Sequence, residues 1–241
     1  MTEPLGSYEH MASKYADQVD TKGIHIYYER PHTWSLLPKN LTGLKVLDIG
    51  CGSGWYAEQL ILLDAEVTAI DASATMVELT RKRLSDKARV FQADIEQPMS
   101  YFADEAFDLV VAPLVIHYVE DWQTLFQEIA RILKSGGQFV FSTHHPHADF
   151  QTFQLENYFA TILITDYWKG LDATVQFYHH TLHDLINDLL NADFVIEQFL
   201  EPLPLPAMAE TEPNLYPKMI KKPQFLFMQC RKKYRTAGDH Q

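Results

Sequence analysis

The chain has 241 residues, 46% of them hydrophobic, which suffices for one substantial α/β core and argues against two full domains. A formal net charge of −12, with the basic run confined to Arg231-Lys232-Lys233 and Arg235 near the C-terminus and read as a solvated end, excludes a global phosphate-binding footprint. Cys51 and Cys230 make no disulfide framework and Met1-Thr2-Glu3-Pro4 carries no signal-peptide pattern, so a soluble cytoplasmic protein without nucleic-acid or membrane partner is expected, as monomer or homodimer.

Residues 1–40 read as helical and rich in aromatics, among them Tyr8, Tyr15, Tyr27, Tyr28 and Trp34. Strand-like and helix-like segments then alternate. Lys45–Ile49 is a short apolar run that stops at glycines and reads as a buried parallel strand. Trp55–Leu63 follows as a helix and Glu66–Ile70 as a second strand. Ser73 can cap a helix through Met76, Leu79 and Leu84. Ala88–Gln92 and Phe107–Ala112 are the third and fourth strands. Asp121 caps Trp122–Leu133, where Leu125, Ile129, Ile132 and Leu133 follow helical spacing and Gly136-Gly137 supplies the stop. Gln138–Ser142 is the fifth strand. Two short strands are expected near Thr161–Asp166 and Ala173–Tyr178, then a helix Leu182–Asn191 capped by Thr181. Phe194–Leu200 and Phe225–Cys230 close the series, separated by a long loop carrying six prolines. This order predicts an open, mostly parallel sheet with helices on both faces.

The strongest chemical signal is Asp48-Ile49-Gly50-Cys51-Gly52-Ser53-Gly54 at the end of the first strand. Alternating glycines let the backbone turn tightly and a ligand approach closely, and the helix that follows offers N–H groups to a carboxylate. Gly52-Ser53-Gly54-Trp55-Tyr56-Ala57 also fits the dinucleotide pattern. Asp48 and the bulky Trp55 and Tyr56 disfavour a pyrophosphate there, whereas an acid suits a ligand with an ammonium group.

Residues 25–143 resemble a class I S-adenosylmethionine (SAM)-dependent methyltransferase of the small-molecule, methyltransferase type 11 kind. The resemblance rests on the glycine loop, on Asp71 after the second strand, on Asp94-Ile95 after the third, on Phe107–Ala112, and on Leu133-Lys134-Ser135-Gly136-Gly137, where Ser135 replaces the usual proline. It implies a Rossmann-like α/β fold of seven strands, the last antiparallel, in a single domain over 1–241. Residues 1–40 would form a helical cover and 144–180 a substrate-covering insertion. It implies SAM as cofactor and S-adenosylhomocysteine (SAH) as product. Asp48, Gly50, Cys51, Gly52, Gly54, Asp71, Ala72, Met76, Asp94, Ile95 and Pro113 are expected to bind the cofactor, with Tyr15 covering it. Cys51 is expected to pack under the loop rather than react.

Methyl transfer needs an aligned acceptor, excluded water and, for some acceptors, a base. Candidates lie beyond the carboxyl ends of strands four and five. His117 and His145 are the expected catalytic residues, as base or hydrogen-bonding group. His144, His145 and His147 sit too close in sequence to converge on a metal, so none is expected. Of His179 and His180, at most one should face the pocket. Tyr118 reads as core, Tyr167 and Trp168 as an apolar wall, and Arg30 as a surface residue. The expected function is methyl transfer to a small molecule. Alternatives are a non-catalytic SAM/SAH-binding regulator, a nucleic-acid methyltransferase and a nicotinamide-dependent oxidoreductase.

Overall fold

The computed structural model describes residues 11–234, so Tyr8 and Arg235 lie outside the described residues. Strands β1 (Lys45–Ile49), β2 (Glu66–Asp71), β3 (Arg89–Gln92), β4 (Phe107–Pro113) and β5 (Leu133–His144) pair in parallel, in the order β3-β2-β1-β4-β5. A hairpin, β6 (Ile162–Trp168) and β7 (Ala173–His179), forms a separate two-stranded sheet. The main sheet is completed by β8 (Phe194–Leu200) at its edge and by β9 (Phe225–Lys232), which is antiparallel to both β5 and β8.

The helices are α1 (Ala12–Val19), α2 (Arg30–Ser35), α3 (Trp55–Ile61), α4 (Ala74–Leu84), α5 (Trp122–Ile132), α6 (Pro146–Thr152) and α7 (Leu182–Asn191), with short turns α8 (Met208–Thr211) and α9 (Tyr216–Met219) inside the proline-rich loop. Their starts follow from side-chain caps. Ser73 accepts from the Met76 N–H, Asp121 from the Thr124 N–H, and Thr181 forms a reciprocal capping box with Asp184. The apolar stripe of α5, with Leu125, Phe126 and Ile129, packs on Phe139 and Phe141 of β5 and makes one core. The opposite face of the sheet packs Val46, Val111 and Val140 against Ala57, Leu60 and Val77 of α3 and α4.

Two expectations change. The α5 helix stops at Ile132, and Leu133 already has extended backbone, paired opposite Phe107 as the start of β5. Gly136, at φ +74, lies within that long strand rather than capping a helix. Residues 134–137 bulge between the Leu133–Phe107 and Gln138–Leu109 pairs, so the glycines turn the chain inside β5 just after the helix ends. The basic run is also no solvated end. Arg231 and Lys232 belong to β9, where Arg231 pairs with Glu197 and buried Lys232 donates to the Leu133 carbonyl at 2.6 Å. Lys233 reaches Asp193 at 3.2 Å. No helix among the described residues is long and apolar enough to cross a membrane.

The order reverses between β1 and β4, so the loops after these strands diverge and open a crevice at the carboxyl edge of the sheet. The rigidity of that edge depends on the packed cores behind it. Phe126 is fully buried against Phe139 and Phe141. Phe126→Ala should lower unfolding free energy by about 3–5 kcal/mol, read as a shift of the urea midpoint with unchanged slope.

Candidate active site

The loop after β1 is pinned by its backbone. The Gly50 and Cys51 N–H groups donate to the Ile70 carbonyl at 2.9 and 3.0 Å, and the Thr80 hydroxyl donates to the Gly52 carbonyl at 2.7 Å. Gly50 and Gly52 have φ of +67° and +54°, which an L side chain rarely adopts. At Gly50 a Cβ would also lie 2.5 Å from Val115. At Gly52 it would meet nothing within 4 Å, so that glycine faces open space.

A cleft opens over this loop, bordered by Asp48, Gly50, Cys51, Gly52, Asp71, Ala72, Met76, Asp94, Ile95, Pro113 and Tyr15. These are eleven of the twelve residues expected at the cofactor. Gly54 is the exception: it precedes α3 at φ +86 and packs against Thr80, so it shapes the loop from behind. The Cys51 thiol sits beside the Thr80 hydroxyl, and burial pushes its pKa up.

Asp48 is almost wholly buried and neither of its oxygens has a hydrogen-bond partner among the described residues. Burial pushes its pKa up to about 8, offset only in part by the nearby Ala57 N–H. A ligand ammonium group would supply the missing cation and donors. Asp71 accepts from the Gly52 and Ser73 N–H groups, both at 2.9 Å. A carboxylate has about four acceptor sites, so anchoring the loop is compatible with holding a diol. Asp94 accepts from the Glu96 N–H at 3.0 Å, and Ile95 packs on the core behind it. The donor set therefore fits a nucleoside joined to a cationic amino-acid end, which is the chemistry of SAM.

Sequence reasoning missed the acid supplied by the N-terminal segment. Glu29 is 2% exposed, borders the cleft, and accepts from the hydroxyls of Thr33 at 2.7 Å, Ser142 at 2.8 Å and Tyr56 at 3.0 Å. Burial holds its pKa above the usual carboxylate range despite these donors. Nothing local in the sequence marks it, because its partners come from α2, α3 and β5. Arg30 is likewise buried rather than on the surface. Its guanidinium lies 4.1 Å from the Trp55 ring and donates to Asp20, which also pairs with Arg83 of α4. Arg83 in turn donates to the Ser53 carbonyl at 3.1 Å, so the N-terminal helices are bolted to the glycine loop.

A second chamber adjoins the cleft, and Tyr15, His25, Leu114 and Tyr118 border both. Leu114 holds φ +49, a strained conformation for a non-glycine residue, fixed by donation of its N–H to the Ser142 carbonyl at 2.9 Å. Tyr118 is thus core and wall at once. Trp168 borders the chamber and stacks on Tyr15 at 6.5 Å, whereas Tyr167 is 57% exposed and donates to Asp172.

The two expected catalytic histidines separate. His117 borders the chamber, buried, with Nδ1 3.4 Å from the Thr143 hydroxyl and its ring stacked 3.9 Å from His144. Burial, then the neighbouring His144 and His180, hold its pKa well below the usual imidazole range. His145 does not border the chamber. It is the N-cap of α6, with Nδ1 accepting from the His147 N–H at 3.1 Å and Nε2 2.6 Å from Glu201. The His-Pro pair therefore starts a helix, and the histidine before it, His144, meets the chamber instead. Neither His179 nor His180 borders it: His179 is 2.9 Å from the Tyr158 carbonyl, and His180 stacks on Trp122 at 3.9 Å.

Fold and cleft together define a doubly wound nucleoside-binding protein whose pocket is built for a cationic amino-acid end. The family model for a methyltransferase domain matches residues 47–141. An uncharacterised protein of Haemophilus influenzae is 30% identical over 229 residues, spanning 85% of this chain and 87% of that one. The malonyl-[acyl-carrier protein] O-methyltransferase of Legionella pneumophila is 33% identical over 104 residues, which cover 42% of this chain and only 37% of that enzyme. The crystal structure of a SAM-dependent methyltransferase from Mesorhizobium loti superposes with a TM-score of 0.74 at 28% identity, covering 88% of this chain and 99% of that one. The chain belongs to the class I SAM-dependent methyltransferases, and SAM is its cofactor.

The state of Asp48 gives a pH test. In the free protein, between about pH 4 and about 8, the native state keeps a proton that the unfolded chain has released, so Asp48 lowers stability progressively as pH rises across that window. Asp48→Asn should remove this contribution, seen as a smaller loss of stability from pH 5 to about 8 than in the wild type. Cofactor binding at neutral pH should release a proton, measured as a buffer-dependent binding enthalpy that Asp48→Asn abolishes.

Proposed function

We propose that the protein transfers a methyl group from SAM to a small-molecule acceptor held in the chamber beneath Tyr15 and Trp168. The observation that carries this reading is the four-residue wall shared by the cofactor cleft and the chamber. A pure SAM-binding regulator needs no second cavity against the first.

When bound, the cofactor supplies an electrophilic methyl group on a sulfonium centre. Asp48 neutralises its ammonium group, Asp71 takes the ribose diol, and Asp94 and Ile95 take the edge and face of the adenine. Gly50, Cys51 and Gly52 give the close backbone approach, while Ala72, Met76 and Pro113 complete the wall. Tyr15 covers the site, and burial and the nearby Glu29 carboxylate push its phenol up, so it stays neutral. His117, held neutral, hydrogen-bonds the acceptor. Residues 11–40 and 144–180 act as covers on one methyltransferase unit. They exclude water from the reacting groups.

The acidic surface charge favours a small molecule over nucleic acid. The test is calorimetric titration with SAM, SAH and NADH, then incubation of a fractionated metabolite extract with methyl-labelled SAM. Micromolar binding of SAM and SAH, weakened at least about tenfold in Asp71→Ala, is expected, with label appearing in a small-molecule fraction. Binding of NADH alone, or label only in RNA or protein, overturns the reading.

A further inference from the structure

His144 borders the acceptor chamber, and its Nδ1 is buried without a hydrogen-bond partner among the described residues. The nearest acid is Asp149, whose Oδ1 lies 3.6 Å away. Asp149 is 8% exposed in the first turn of α6, and its placement follows from the same His145 cap that sets the helix start. At 3.6 Å the two make an ion-pair contact rather than a hydrogen bond, and a small closure would let Asp149 accept from Nδ1–H, which fixes the tautomer and leaves Nε2 as the proton acceptor. Burial makes its partner ring, His117, a weaker base than an ordinary imidazole.

We infer that His144, positioned by Asp149, is the general base for a planar acceptor bearing an aromatic hydroxyl group. This rests on the methyl-transfer reading above. The base limits the acceptor to groups that still carry a proton at neutral pH, phenols and amines among them, and Lys22 on the wall favours the one that becomes an anion. A carboxylic acid has already lost its proton at neutral pH and gains nothing from a base, whereas a phenol keeps its proton to about pH 10. The walls agree: Tyr15, Phe153, Trp168, Phe177 and Phe225 border the chamber and suit a flat ring. Lys22 also borders it, 5.6 Å from the Tyr15 ring centroid, and offers a cation to the phenolate as it forms.

The step balances. The hydroxyl oxygen gains the methyl carbon, the sulfur keeps the electron pair of the broken bond, and the proton passes to His144 Nε2. The imidazolium is paired with Asp149 until it releases the proton to water. Other titratable groups facing the chamber are His25, Lys22 and Asp166. Asp166 accepts from the Trp168 indole at 3.0 Å, and burial, Arg30 and Lys22 push His25 down to about 3, which leaves it neutral.

The test uses para-nitrophenol, whose colour reports its ionisation, and a series of phenols of decreasing acidity. With SAH-loaded wild-type protein, para-nitrophenol should bind as the phenolate at a pH where the free probe is mainly protonated. His144→Gln should bind it as the neutral phenol, with SAM affinity unchanged by calorimetry as the check on folding. In single turnover with SAM, His144→Gln should lose about a hundredfold on the least acidic phenols and progressively less on the most acidic. Asp149→Asn should lower kcat rather than raise KM, and Asp149→Glu should recover part of the loss. An equal loss across the series, or unchanged phenolate binding by His144→Gln, overturns the base. Methylation of amines but of no phenol overturns the acceptor class. Failure of SAM binding is seen separately in the calorimetry and overturns the underlying reading instead.

Discussion

Asp48 stands at the carboxyl end of β1 with no hydrogen-bond partner among the described residues, beneath a loop of left-handed glycines. A carboxylate placed so deeply cannot carry its charge cheaply, and burial raises its pKa to about 8. In the proposed reading, the ammonium group of the bound cofactor would complete the site. Everything around it serves that condition. The glycines keep side chains out of the cleft, Asp71 fixes the Gly52 amide, and Arg83 holds the loop from α4.

The N-terminal helices close the same site from above. Glu29 gathers hydroxyls from α2, α3 and β5, and Ser142 is also the anchor of the strained Leu114 turn. One buried acid thus links the cover, the first helix after the glycine loop and the turn that divides cofactor cleft from acceptor chamber. Such a network is costly to leave half satisfied. The chamber beyond is aromatic, with a His144–Asp149 couple on its wall. This gives chemical character to a cavity that the fold alone leaves general.

The O-methyltransferase of Legionella shares only about a hundred residues with this chain, and the family model stops at residue 141. The family model covers the glycine loop and the acids after β2 and β3, where the loop geometry is constrained. The hairpin β6–β7, which supplies Trp168 and Phe177 to the chamber, lies outside the family model, so the acceptor side has to be read from its own side chains.

The alternation of short apolar runs with capped amphipathic helices fixed the fold class, because periodicity and caps are local properties. The glycine loop and the acids at the ends of β2 and β3 located the cofactor cleft for a similar reason. There, backbone conformation and strand ends carry the function, and both are written in short segments. Tertiary structure decided which histidine meets the chamber. Three ring-bearing residues within four positions are distinguishable only once α6 starts at Pro146, turning His145 into a cap and leaving His144 at the wall. The Gly136-Gly137 segment likewise became a bulge within β5, and the pairing of β9 with β8 gave the basic run its counter-charges. Glu29 and Arg30 became site residues through partners far away in the chain, and such convergence is set by packing, which no local pattern encodes.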